Sequence, residues 1–166
     1  MTDSIARSPL TELLKAVLVE KSFDFEEAEG GNAFSVDYEF EDVSWLLFIQ
    51  AIDDMGLVVV YSSCPFAIEE KDIAAILEFS SRISYVLLEG NFELDPDDGD
   101  LRFKTSVFVG STAQPTEISE EDAKTLIAHS IFYNIFMATV SFPSVAKICH
   151  GLLSIADAVR DASELN

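Results

Sequence analysis

Leu10, Leu13, Leu14, Val17 and Leu18 recur at the i, i+3, i+4, i+7, i+8 spacing of one buried helical face. Ser8 suits the cap before that helix, Pro9 its first position and Glu12 its first turn. Gly30-Gly31 then ends an acidic connector with room for a short strand at residues 23–25. The period changes to two at Phe34, Val36, Tyr38 and Phe40, which alternate with Ser35, Asp37, Glu39 and Glu41. That pattern predicts a half-buried strand with one wet face. Residues 44–52 are apolar on both phases: Trp45, Leu47, Ile49 and Ala51 on one, Leu46, Phe48 and Ile52 on the other. Residues 57–61 are also apolar on both phases, and Asp53-Asp54-Met55-Gly56 supplies the turn between the two strands. Such short links predict a three-stranded antiparallel meander.

Pro65 closes the meander, and a helix is predicted over residues 69–88. Glu69, Glu70 and Asp72 lie near its positive end, Ile73, Ile76, Leu77, Ile83 and Leu87 near one face, and Gly90 at its exit. Two strands follow, 91–95 and 101–109, around an Asp98-Gly99 turn. In the second, Leu101, Phe103, Val107 and Val109 share a phase, and Arg102, Lys104 and Ser106 share the other. Ser119, with Asp122 three residues on, caps a last long helix running toward Val140. Pro143 is expected to break or kink it, with a further helix over 144–162 interrupted at Gly151. The expected architecture is a single α+β domain over 1–166. It has a five-stranded antiparallel sheet with flanking helices in the order α-βββ-α-ββ-α(α).

Composition narrows what such a domain can do. Thirty acids against ten bases give a formal charge of -20. No basic run is present to neutralise phosphates or anionic lipid, so neither nucleic acid nor a membrane surface is an expected partner. The acidity steers basic partners instead. Residues 125–146 carry no charge and are long enough to span a bilayer, but His129, Ser130, Asn134, Ser141 and Pro143 interrupt them. A buried core helix is the expected reading. The N-terminus lacks a basic segment followed by an apolar one, so cytoplasm is the expected compartment.

Candidate chemistry is sparse. In the acidic turn 95–100, the fifth residue from Asp95 is Gly99 and the sixth from Glu93 is Asp98. Neither start fits a calcium loop with glycine at position six, and a hairpin turn is expected. Cys149 and His150 are neighbours whose side chains diverge by about 100° on a helix, and no third ligand stands at a useful spacing from His129. Cys64 and Cys149 do not form a disulfide framework. Phosphate loops, dinucleotide fingerprints and nucleophile elbows are absent; Gly110-Ser111-Thr112 lacks the second glycine. No catalytic, cofactor-binding or metal residue is therefore assigned. What remains is apolar excess, which marks an interface if one sheet face stays open. Some of Leu46, Phe48, Ile52, Val58 and Val60 are expected on such a face, unless the last helix folds across it.

The second half carries a family resemblance. Asn91-Phe92-Glu93-Leu94-Asp95, Asp98-Gly99 and Leu101-Arg102-Phe103-Lys104-Thr105-Ser106, then Tyr133-Asn134, Phe142-Pro143 and Gly151, resemble the YbjN-type family of small bacterial proteins. The element order resembles the type III secretion chaperone-like fold. The first half matches only in layout, around Trp45, the Asp53-Asp54 turn and Pro65. Met137-Ala138-Thr139-Val140 departs from the polar segment such a family would place before the proline. The resemblance implies a five-stranded sheet, frequent dimers and no enzyme activity, under a loose description as sensory or stress regulators. Secretion chaperones of this fold are small acidic dimers that hold an extended effector segment, and chaperoning follows here only by analogy of fold.

The leading expectation is a non-enzymatic protein- or peptide-binding module, chaperone-like or regulatory, without a cofactor. Trp45, Leu46, Phe48 and Phe136 are its expected partner-binding residues. The first alternative is a homodimeric regulator or assembly factor that uses the apolar surface on itself. The second is a small-ligand binder or enzyme with a pocket near His129 and Tyr133.

Overall fold

The structure, a computed structural model, describes residues 9–40, 43–111 and 115–164. Among these, the chain forms α1 (Pro9–Glu20), β1 (Phe25–Glu27), β2 (Ala33–Phe40), β3 (Val43–Ile52) and β4 (Leu57–Ser63). Then come α2 (Ile73–Val86), β5 (Asn91–Leu94), β6 (Leu101–Phe108), α3 (Glu120–Cys149) and α4 (Ile155–Ser163). The expected cap Ser8 and the polar Glu41 lie outside the described residues.

One antiparallel sheet holds six strands, not five, in the order β1-β2-β3-β4-β6-β5. The sixth strand is β1, in the connector before Gly30, where Phe25 pairs with Val36 and Glu27 with Phe34. Phe25 meets the Phe34 ring edge-on at 5.4 Å, so aromatic packing rather than an alternating run holds it. The expected meander is present as β2-β3-β4. Beyond it α2 carries the chain past one position, so that β5 forms the edge and β6 fills the space beside β4.

All four helices lie on one side. Leu10, Leu14, Val17 and Leu18 of α1 pack with Ala123, Ile127 and Ile131 of α3 on Phe34, Val36, Leu47, Ile49, Val58 and Val60. Ile76, Phe79 and Ile83 of α2 pack with Met137, Phe142 and Val145 of α3, Ala158 of α4 and sheet residues Trp45, Phe92, Leu101 and Phe103. Helix α3 therefore spans both halves of the core. A polar clasp fixes its register: Asn134 Nδ2 donates to Val60 O (3.0 Å), Phe103 O (3.2 Å) and Thr105 Oγ1 (3.2 Å). Ser62 Oγ donates to Asn134 Oδ1 at 2.6 Å, and Ser130 Oγ to Thr105 Oγ1 at 3.0 Å. These groups are buried, so each bond replaces a hydration that is lost.

Helix α3 starts as its sequence suggests, with Ser119 Oγ accepting from Asp122 N at 3.1 Å. It does not end at Pro143 but continues to Cys149. Pro143 lacks the N–H that would bond to the Thr139 carbonyl. Its ring sits on the exposed side, while Phe142 and Val145 beside it are fully buried, and that packing carries the axis through. Helix α3 is long and apolar enough to cross a membrane, yet 56% of its most apolar window is buried within the domain, as in a core helix. Ser154 then caps α4 with Asp157, repeating the device of Ser119. The predicted 69–88 helix is shorter, beginning at Ile73 after a single 3-10 turn over Glu70–Asp72.

Candidate functional site: the open face of the sheet

No helix among the described residues covers the second face of the sheet. Strand register defines what it displays. One row across it runs Ser35, Phe48, Tyr61, Lys104, Asn91. The adjacent row runs Asp37, Leu46, Ser63, Arg102, Glu93. A third brings Gln50, Val59 and Ser106 together, and a fourth Ile52, Leu57 and Phe108. Leu46, Phe48 and Phe108 are 45%, 37% and 44% exposed. The Phe48 and Tyr61 rings lie 6.5 Å apart. Strands β3 and β4, at the centre, contain no charged residue.

Charge is segregated toward the margins of this face. Glu26, Asp37 and Glu39 lie on the β1–β2 side, and Arg102 and Lys104 on β6 with Glu93 beside them on β5. Arg102 stands over the Tyr61 ring at 4.5 Å and pairs with Glu93 at 2.9 Å. Lys104 also pairs with Glu93. Partial burial pushes the Glu93 carboxyl upward, but hydrogen bonds from Lys104, Arg102 and Asn91 outweigh it and hold the group below its ordinary value. Among the described residues Asp37 and Glu39 have no ion-pair partner.

The four expected partner-binding residues separate. Leu46 and Phe48 lie on the open face. Trp45 does not: it is 4% exposed, between Tyr38 and Phe142, with ring separations of 6.3 and 5.5 Å. Phe136 is exposed on α3, across the molecule from Leu46 and Phe48. Val58 and Val60 are likewise buried under the helices, and Leu57 and Val59 point to the other side, where Leu57 is half-buried and Val59 only 6% exposed. Both phases of β3 and β4 are apolar, so alternation could not choose between them. Register against β2 could have done so, since Asp37 and Glu39 mark its wet phase.

Elsewhere the structure offers little chemistry. Among the described residues no group of three His, Cys, Asp or Glu side chains is placed to hold a metal. His129 Nε2 lies 3.2 Å from Glu89 and stacks on Tyr133 at 6.1 Å. The neighbouring cleft, about 370 Å³, is lined by Leu88, Lys104, Ser106, Leu126 and His129 and is partly open to solvent. In the acidic turn, Asp95 and Asp98 carboxylates accept from the amides of Asp97 and Asp100, both at 2.9 Å. They brace a hairpin turn. Cys64 and Cys149 are free, and burial raises both thiols, Cys64 to about 12. A thiol so raised is a poor nucleophile at neutral pH.

The class that emerges is an open-faced α+β domain, with helices on one side of an antiparallel sheet and, on the other, a surface whose β3–β4 centre is uncharged. No protein-family model matches the chain, and no curated protein matches it.

Proposed function

We propose that this protein is a non-enzymatic binding module whose open sheet face docks another protein chain. The observation that carries the reading is the uncharged β3–β4 centre with Leu46, Phe48 and Phe108 exposed, in a chain of charge -20. Large apolar side chains left exposed on an uncovered face mark an interaction surface. The helix side is a weaker candidate. Its exposed apolar residues Val19, Leu77, Tyr85, Leu126, Phe132 and Phe136 are spread over three helices, and Phe132 already packs on Phe23 at 5.7 Å. The finer reading is a chaperone-like or regulatory protein of the YbjN type. It is supported by the antiparallel sheet, the one-sided helices and the acidity.

A photoreactive phenylalanine analogue placed at position 48 or 136 tests the face directly in living cells. Covalent protein adducts should form from position 48 and be at least about tenfold weaker from position 136, since only a buried interface centre holds a partner in reach. No adduct from position 48, or equal yields from both positions, would remove the sheet face as the docking site.

A further inference from the structure

We infer that the edge of β6 beyond the end of β5 is a second binding site, which takes an extended segment of another protein as a seventh strand. Strand β6 has eight residues and β5 only four. Strand β5 pairs with residues 101–104, so residues 105–108 have no strand beside them on that side among the described residues. The phase of the ladder fixes which groups are left over. Leu101 O accepts from Cys64 N at 2.8 Å, and Val109 N donates to Gly56 O at 3.0 Å. The odd-numbered residues of β6 therefore direct their N–H and C=O groups toward β4. Those of Ser106 and Phe108 point the opposite way, past Asn91, into the open edge. Main-chain donors and acceptors at strand spacing are what an incoming strand pairs with. The site is made of main-chain groups at the edge, so it goes beyond the docking face and does not depend on it.

Sheet edges that stay free are blunted by charge, proline or brevity. Strand β1 is three residues long and carries Glu26 and Glu27, and β5 carries Glu93. Residues 105–108, Thr-Ser-Val-Phe, have neither charge nor proline. The cleft beside His129 lies along them, between β6, the link before β5 and α3. Helix α3 runs antiparallel to β6 here: Asn134 bonds to Phe103 O, Ser130 to Thr105, and Ala123 packs in one cluster with Val109. Leu126 thus stands beside Val107 and walls the helix side of the cleft, its side chain exposed. A strand in this place alternates its side chains between two sides. On the helix side they meet Leu126, and on the other side the exposed ring of Phe108. Glu89 stands at one end of the cleft, and Asp122 lies one turn before Leu126 on the same side of α3, at the other. Lys104, also in the lining, is already paired with Glu93. The segment that fits has apolar residues at alternate positions and a basic residue at each end. It continues the line of β5, antiparallel to β6, the slightly more stable pairing.

Nuclear magnetic resonance titration of the full chain with one synthetic peptide, Lys-Val-Thr-Val-Thr-Val-Lys with blocked ends, tests this. Its valines suit the helix side, which sets its two threonines opposite Ser106 and Phe108. Saturable binding should shift the amide signals of Ser106 and Phe108 and slow their hydrogen exchange at least about tenfold. The same peptide N-methylated at both threonines keeps its side chains but loses the N–H groups that face β6. It should bind at least about tenfold more weakly. N-methylation at the central valine, whose N–H faces away from β6, should leave binding unchanged. No saturable binding overturns the inference, as do shifts confined to Leu46, Phe48 and Tyr61 on the open face. Equal binding by the threonine-methylated peptide overturns it too, since the contact would then not be a strand pairing. If position 48 forms no adducts while the peptide pairs with β6, the docking face falls and the edge site stands. Adducts from position 48 with no pairing at β6 remove the edge site alone.

Discussion

Asn134 shows how much of this fold hangs on one polar side chain. It joins α3 to β4 and β6 through four hydrogen bonds, all in buried surroundings. Asn134→Ala should therefore cost roughly 3–5 kcal/mol, because it removes all four bonds at once and leaves the buried Ser62 hydroxyl without its acceptor, while Thr105 keeps its bonds to Ser130. Ser62→Ala, which removes one donor, should cost about 1 kcal/mol. Urea unfolding monitored by Trp45 fluorescence distinguishes the two; equal losses would mean that the clasp is not a unit. Asn134 is conspicuous in the sequence only as a polar interruption of an apolar run. Its partners lie 72 and 74 residues away in Ser62 and Val60, so no local pattern announces its role.

The hairpin between β5 and β6 illustrates the elements that local chemistry specifies well. Asp98-Gly99 marks a turn in the sequence, and Gly99 takes φ +76°, a backbone conformation that side chains disfavour. The structure adds a second constraint. A Cβ at Gly99 would lie 2.2 Å from Ile68 O, where Ile68 N also donates to Gly99 O at 2.9 Å. Gly99→Ala should cost about 2–4 kcal/mol, combining strain with displacement of the segment before α2. Gly151, at φ +66° with nothing within 4 Å of a built Cβ, is the control and should lose only about 1 kcal/mol. Differential scanning calorimetry of both variants checks the contrast, and equal losses would rule out the Ile68 contact as its cause. The helices divide in the same way. Ser119 and Asp122 announce the start of α3, but its passage through Pro143 depends on Phe142 and Val145 finding their core positions.

The molecule as a whole should be sensitive to alkali. Burial pushes the Cys64 thiol from 9.0 up to about 12 and the Tyr38 phenol from 10.0 up to about 12, with Ser62 beside Tyr38 pulling weakly the other way. In the unfolded chain both groups ionise at their ordinary values, whereas in the folded chain they stay neutral for longer. Their neutral burial thus supports the fold fully below about pH 9, and that support is lost as pH rises toward 12. Urea midpoints should decline continuously over that window, and Cys64→Ala should flatten the first part of the decline. A flat profile in the wild-type chain would show that neither group is held neutral by the fold.

Periodicity located α1, β2, β3, β4, β6 and both ends of the acidic hairpin, because these depend on neighbours within a few residues. The same is true of the Ser119 cap and the turn glycines. It could not orient β3 and β4. Trp45, Leu47 and Ile49 compete with Leu46 and Phe48, and Val58 and Val60 with Leu57 and Val59, on equal hydrophobic terms. Register with β2 and β6 broke that tie, placing Trp45 beneath Phe142 and leaving Leu46 and Phe48 on the open side. The β1 strand likewise depends on Phe25 meeting Phe34, and the Asn134 clasp on strands far along the chain. Local sequence carries the free energy of turns, caps and amphipathic faces. The choice of which apolar face is buried comes from contacts that exist only once distant segments have packed.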